Sequence, residues 1–288
     1  MKIDEACVGC IVNQSFKVAQ AINADKQLSL ALTSKVEEMS KTFSYDKTPP
    51  EIAADVYETM AKIANKKDLY DEVKEHSTQK ALSFVPALQE KLIQSNNKLL
   101  TATKIAVAGN VIDLAAEVEF DLHEELENIF HIDFAHNDFD KFQVELEKAK
   151  TVLIIGDNVG EHIFDCLFIE TLKELYLNKE FYYMVRGNPI INDVTIKEAK
   201  EANYDKICHL VNSGVNTPGF TYNRANKIAK ELFDNADLII SKGMGNYECM
   251  SPVQRDNICF LLKVKCNVVA TSLKKEVGDI ICKFVKKD

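Results

Sequence analysis

Three short blocks in the second half of the chain concentrate polar and charged residues. They are Asp157-Asn158-Val159-Gly160-Glu161, then Arg186-Gly187-Asn188-Pro189 running on to Asn192-Asp193, and Lys242-Gly243-Met244-Gly245-Asn246. Each follows a short apolar run, at 151–156, 180–186 and 236–241. Asp157, Asn158 and Asp193 offer hard oxygen donors, a set that suits Mg²⁺ or Mn²⁺ and leaves positions for water or a phosphate. Arg186 and Lys242 are cations able to hold phosphate oxygens, and Gly160 at a helix start lets backbone N–H groups face an anion. Together these groups make a plausible phosphoryl-transfer site. The plain alternative is that Asp157 and Asn158 cap a helix and that Lys242 is a solvated turn residue. At one strand end that alternative is the commoner situation; three polar ends in register weigh against it.

Two further groups stand apart. Gly109-Asn110-Val111-Ile112-Asp113 interrupts a long helical pattern, placing an amide and a carboxylate at a helix start; from spacing alone, local capping explains such a pair as well. Cys7 and Cys10 form a single CxxC. Both sulfurs are expected on one helix face, where the dipole favours thiolates. A structural zinc normally needs four ligands and no second CxxC exists, so three readings stay open: an inert pair, a metal or cluster site with Cys266 as first recruit, or redox work.

The elements that must position these groups follow from composition and pattern. The 288 residues are 46% hydrophobic and 27% charged, enough for a packed core and for one large or two ordinary domains. Thirty-five Lys and Arg stand against 44 Asp and Glu, a net charge of −9 that argues against nucleic acid and anionic membrane as partners. The acidic start MKIDEACVGC does not resemble a signal peptide, and no apolar run reaches the roughly 18 residues of a membrane span, so a cytoplasmic protein with reduced thiols is expected.

Only Gly9 and Gly109 precede residue 150, whereas the other eight glycines follow it. Long glycine-poor stretches favour helices; frequent glycines favour turns between strands and helices. The pattern predicts helices over 11–24, 28–43, 51–64 (opened by Pro49 and Pro50), 68–82, 84–108 and 115–130, with 131–140 as a connection. Beyond residue 150 it predicts strands at 151–156, 180–186, 206–212, 236–241 and 267–270. Helices are expected at 160–176, 195–202, 223–235 and 250–263. The expected fold is α/β: a helical domain over 1–148 and a Rossmann-like domain with a largely parallel sheet over 149–288. In such a sheet, ligands bind beyond the carboxyl ends of the strands, where the three polar blocks lie. No GxGxxG, P-loop or GxSxG sequence is present.

Taken in order, CVGC, GNVID, GDNVGEHIFD, VRGNPIINDVT, ISKGMGNYE and FLLKVKCNVVA resemble the metal-dependent damage-control phosphatase family. This family was formerly domain-of-unknown-function family eighty-nine and is also called acidic-residue methyltransferase-like. The resemblance spans nearly the whole chain, and its CxxC start is similar to the archaeal and bacterial branch. It implies a helical domain packed on a Rossmann-like sheet and a divalent ion (Mn²⁺, Mg²⁺, Ni²⁺ or Co²⁺) held at Asp157, Asn158 and Asp193. It further implies a phosphate contact from Lys242, and a cleft lined by Asn110 and Asp113. Small phosphorylated metabolites, such as sugar phosphates or phosphopantetheine-type compounds, are the implied substrates. Leu69 departs from the proline expected between Asp68 and Tyr70, whereas Lys74 is retained.

The expected mechanism is hydrolysis by a metal-activated water, with Lys242 and Arg186 stabilising the equatorial oxygens. Glu161 either orients that water or favours the helix N-terminus. Asn192, Gly243 and Asn246 complete the candidate substrate contacts. Two rivals remain at this stage: an S-adenosylmethionine-dependent carboxyl methyltransferase, and a non-catalytic metal- or cluster-binding protein using the CxxC. The first would be expected to carry a glycine-rich turn where this chain has Asp-Asn.

Overall fold

A computed structural model describes residues 1–111 and 127–285. Three helices open the chain: α1 (Glu5–Ala21), α2 (Lys26–Ser40) and α3 (Pro49–Ala64). Their starts are set by side chains that accept otherwise unpaired N–H groups. Asp4 accepts from Ala6 N at 2.9 Å and Asp25 from Leu28 N at 2.8 Å, while Thr48 and Glu51 form a reciprocal capping box ahead of Pro49 and Pro50. These helices bury Val18, Leu32, Val36, Val56 and Met60 in a cluster of their own, joined by Ile190.

The next pair, α4 (Asp71–Gln94) and α5 (Lys98–Val111), belongs to a different core. Phe84, Leu88 and Ile105 share one apolar cluster with Val152, Ile154, Val185 and Leu261 of the sheet. Sheet and helices alternate from there: β1 (His136–Asn137), α6 (Phe139–Lys148), β2 (Thr151–Ile155), α7 (Glu161–Leu175), β3 (Glu180–Val185), α8 (Ile196–Glu201), α9 (Tyr204–Ile207) and β4 (His209–Asn212). The chain continues through a 3₁₀ turn at Tyr222–Arg224, α10 (Lys227–Asn235), β5 (Leu238–Lys242), α11 (Gly243–Met250), β6 (Ile258–Lys263), α12 (Asn267–Leu273) and β7 (Ile280–Phe284).

The strand order is β1-β7-β6-β5-β2-β3-β4, parallel throughout except for β6 against β7. Period-two alternation sends Val152, Ile154 and Ile240 to the face under α5 and α7, and Leu153, Ile155 and Ile239 to the face under Phe220, Phe233 and Tyr247. Because β2 has β3 on one side and β5 on the other, the order reverses at its carboxyl end. Ile155 is in register with both Met184 and Ser241, so the residues that follow these three strands emerge at one level.

Several sequence expectations change. Pro86 sits inside α4 without ending it; the break comes at 95–97, where the Ser95 hydroxyl accepts from Asn97 N and Asn97 accepts from Leu100 N. The expected connection at 131–140 contains β1 and the start of α6. The run 258–263 is a strand within the expected helix 250–263, and 267–270 is helical where a strand was expected. Both are short apolar runs whose periodicity does not separate strand from helix; β6 lies between β5 and β7, buried on both faces. No helix is long and apolar enough to cross a membrane among the described residues.

Candidate active site

The loop after β3 builds the site by folding back as a strap between two strand ends. Arg186 N donates to Val194 O at 3.0 Å, and Val194 N donates to Asp157 O at 2.9 Å. Asn158 and Asp193 form an isolated antiparallel bridge, and Val159 N donates to Asn192 O at 2.8 Å. Ile191 takes a positive φ of 45° in the turn that Asp193 N closes on Ile190 O. Asp193, thirty-six residues from Asp157 in sequence, is thereby placed beside it.

The side chains at this corner are buried: Asp157 is 7% exposed, Asp193 2% and Arg186 1%. Arg186 Nε donates to Asp193 Oδ2 at 2.6 Å, and Nη2 lies 3.8 Å from Asp157 Oδ1. That Nη2 has no hydrogen-bond partner, an unsatisfied buried donor of the kind that usually has a functional cause. Asn158 donates to Asp157 Oδ2 at 3.0 Å. Neither Asp157 nor Asn158 caps α7, whose N-cap is Gly160, so the capping alternative does not describe them.

Lys242 is completely buried and its ammonium is fully engaged. It donates to Glu161 Oε1 at 2.5 Å, Asp165 Oδ1 at 2.6 Å and Ala106 O at 2.8 Å. Tyr183 OH completes the nest by donating to the other oxygen of Asp165 at 3.0 Å. Lys242 is therefore no solvated turn residue; three acceptors take its three protons. Glu161 and Asp165 face it together because they lie four residues apart on α7. α5 closes over this nest at Gly109, where a Cβ would fall 2.7 Å from Glu161 Cγ.

The charges do not balance. Glu161, Asp165, Asp157 and Asp193 are four buried carboxylates, against two buried cations, Lys242 and Arg186. Burial, then Glu161 and Asp193, push the Asp157 carboxyl well above its ordinary range, with Arg186 opposing. Burial likewise raises Asp193, opposed first by Arg186. Asp165 is pushed up to about 6 by burial, with Lys242 pulling the other way. A hard divalent cation fits this donor set: it would supply the two missing charges among oxygen ligands. Room is kept at Asp157 because residue 243 is glycine; at its φ of +76° a Cβ would stand 1.9 Å from Asp157 Oδ2. No closed group of three or more His, Cys, Asp or Glu side chains is arranged around an ion position among the described residues.

The other candidates divide. Asn246 is wholly committed to backbone, donating to Gly156 O and Lys242 O and accepting from Phe220 N at 2.7 Å. Asn192 contributes its carbonyl to the strap. Asn110 lies in the last turn of α5, with its side chain outside the described residues, as is the whole of Asp113. Cys7 points into the α1–α3 core, Cys10 is exposed and Cys266 is half-buried ahead of α12; all are free thiols. Burial raises the Cys7 thiol. Sequence reasoning gave Asp165 no role, although its place four residues after Glu161 on a helix otherwise rich in apolar residues was a usable signal.

Comparison with known proteins bears on this geometry. The damage-control phosphatase ARMT1-like domain matches residues 3–281. A damage-control phosphatase of Pyrococcus horikoshii is 30% identical over 286 residues, covering 98% of each chain. A damage-control phosphatase of Archaeoglobus fulgidus is 29% identical over 292 residues, covering 99% of this chain and all of that protein. The crystal structure of a P. horikoshii protein of domain-of-unknown-function family eighty-nine superposes with a TM-score of 0.92 at 29% identity, covering 99% of this chain and 100% of the other. The fold, the site at the point where strand order reverses, and a match over nearly the full length agree: the chain belongs to the damage-control phosphatase ARMT1-like family and is a phosphatase.

Proposed function

We propose that this chain is a divalent-metal-dependent phosphomonoesterase of small, damaged or surplus phosphorylated metabolites, including sugar phosphates or phosphopantetheine-type compounds. Asp157, Asn158 and Asp193 are the residues that hold the cation. The observation that carries this reading is the buried excess of two carboxylates beside an unsatisfied arginine donor, at the carboxyl edge of a parallel sheet. A cation bound there supplies Lewis-acid polarisation of the phosphoryl group and an activated water.

The chain's own residues do the rest. Arg186 orients Asp193 through Nε and keeps Nη2 for a phosphoryl oxygen. Lys242, fixed by its three acceptors, acts as a buried positive charge that holds Glu161 and Asp165 in place. Asn158 holds Asp157 Oδ2, and Gly243 leaves that carboxylate room. The test is hydrolysis of a generic aryl phosphate with added Mn²⁺ or Mg²⁺. Activity is expected with metal, is abolished by EDTA and falls by about three orders of magnitude in Asp157→Ala, the several kcal/mol a metal contributes to such a transition state. Turnover that survives both EDTA and the substitution rejects the reading.

A further inference from the structure

Asp193 is held from two sides. Arg186 binds its carboxylate, and a buried line of polar contacts reaches its backbone from α4. We propose that Lys74 of α4 is a positioning residue for Asp193, acting through Glu198 and Thr195 to fix the metal-binding end of the strap. This rests on the phosphatase reading, in which Asp193 is a cation ligand, and it brings a residue of the helical layer into the site.

Lys74 is 2% exposed, and its ammonium donates to two carboxylates, Asp68 Oδ2 at 2.8 Å and Glu198 Oε1 at 3.4 Å. Asp68 is itself fixed, because its other oxygen accepts from Tyr70 N at 2.9 Å. The other oxygen of Glu198 accepts from Thr195 N at 2.9 Å and from the Thr195 hydroxyl at 2.6 Å. Thr195 lies two residues beyond Asp193 and forms a parallel bridge with Arg186, while Val194 between them donates to Asp157 O. The line from Lys74 therefore ends on the backbone segment that carries Asp193. On the other side of Asp193 the chain turns at Ile191, where Asp193 N closes on Ile190 O.

A neighbouring ion pair shows what a plain tie between the same helices looks like. Lys197 of α8 donates to Asp71 of α4 at 2.7 Å, and both side chains are more than half exposed. Asp71 and Lys74 lie one turn apart on α4, and Lys197 and Glu198 are adjacent on α8, so both pairs join these two helices. The exposed pair ends in solvent and contributes little. The Lys74 pair is buried and continues into the strap. Burial opposes ionisation of Glu198, yet Lys74 and then the Thr195 hydroxyl outweigh it and hold the carboxyl below its ordinary range. Taking a lysine and a carboxylate out of water gains little stability by itself. Groups that orient a metal ligand from behind, by contrast, set metal affinity by about 10- to 100-fold.

The test is calorimetric titration of the metal-free full chain with Mn²⁺, as wild type, Lys74→Met, Glu198→Gln, the double variant and Asp71→Asn. Hydrolysis of p-nitrophenyl phosphate is followed in parallel across Mn²⁺ concentration. Lys74→Met and Glu198→Gln are each expected to raise the Mn²⁺ Kd about tenfold, the double variant no more than either alone, and Asp71→Asn less than about twofold. The Mn²⁺ needed for half-maximal turnover should rise by the same factor, with kcat at saturating Mn²⁺ within about twofold of wild type. A lysine with a purely structural role would, when removed, lower the melting temperature and leave the Kd of the folded protein unchanged. One that only neutralised Asp193 would, when removed, tighten Mn²⁺ binding. Either result overturns the proposal, as do losses that multiply in the double variant. Glu198→Gln keeps an acceptor for Thr195 in its amide oxygen, so it reads the same line if Lys74→Met does not fold. No Mn²⁺ binding by the wild type rejects both the cation site and the proposal. Wild-type binding without turnover, weakened by both substitutions, rejects the phosphatase reading and leaves the role of Lys74 standing.

Discussion

Two buried cations at the same edge of the sheet, Lys242 closing β5 and Arg186 following β3, have opposite fates. Lys242 is surrounded: Glu161, Asp165 and Ala106 take every proton it has, and Tyr183 steadies Asp165 from behind. Arg186 is left open: Asp193 takes Nε, Asp157 is an ion-pair partner at 3.8 Å, and Nη2 has no acceptor. A closed nest of this kind holds helices to a sheet. An open one, with a carboxylate in excess and an arginine donor left without an acceptor, holds charge ready for a ligand. The difference separates the scaffold of the site from its working edge, even though both parts are equally buried.

The largest effect that tests this division is on activity, at the open corner, where Asp157→Ala is expected to lower turnover by about three orders of magnitude while leaving the fold intact. Removing the lysine of the closed nest should act on stability. Lys242→Met keeps the volume but leaves Glu161 and Asp165 buried without their cation, so a loss of about 3–5 kcal/mol in urea unfolding is expected. If Lys242→Met keeps wild-type stability and only loses turnover, the nest is part of the working edge and the division fails.

A smaller effect comes from His162, beside the nest at the start of α7. It is 1% exposed, Nδ1 accepts from Gly160 N at 3.0 Å, and burial lowers its pKa to about 4. The unfolded chain therefore takes up the proton first. Stability from the neutral ring is fully present above about 6.5 and is lost as pH falls towards 4, roughly 3 kcal/mol at most. The raised Asp165 acts in the opposite sense, since it retains its proton to about 6 in the folded protein. The clean readout is thus the difference between wild type and His162→Asn: the wild type should lose more melting temperature on going from pH 7 to pH 4.5. Smallest of all is the exposed Lys62–Glu58 pair on α3, where Lys62→Ala should change stability by about 0.5 kcal/mol or less.

What the sequence made legible, and what it hid, follows the same line. The strand-end blocks were readable because three of them follow short apolar runs in register; at any one end, glycine, asparagine and aspartate are ordinary turn and cap residues. Asp157, Asp193 and Arg186 do meet in space. The closed nest was not readable, because it is made by residues 106, 161, 165, 183 and 242 from four elements, and no local spacing encodes that meeting. Lys242 read as a phosphate contact on its motif, whereas burial and three acceptors make it first a counter-ion. The strands β6 and β7 were lost for a related reason. Ile258–Lys263 and Ile280–Phe284 are short apolar runs without alternation, and their antiparallel pairing is a tertiary fact.

The central claim is that nest and open corner together lack two positive charges, and that a divalent ion bound at the open corner makes them up. Calorimetric titration of the metal-free protein with Mn²⁺ at pH 7 tests it most directly. One ion per chain is predicted to bind the wild type, with binding lost in Asp157→Ala and in Asp193→Ala but retained in Cys7→Ser/Cys10→Ser. No binding by a folded wild type, or binding that survives loss of both aspartates and disappears with the cysteines, would contradict it.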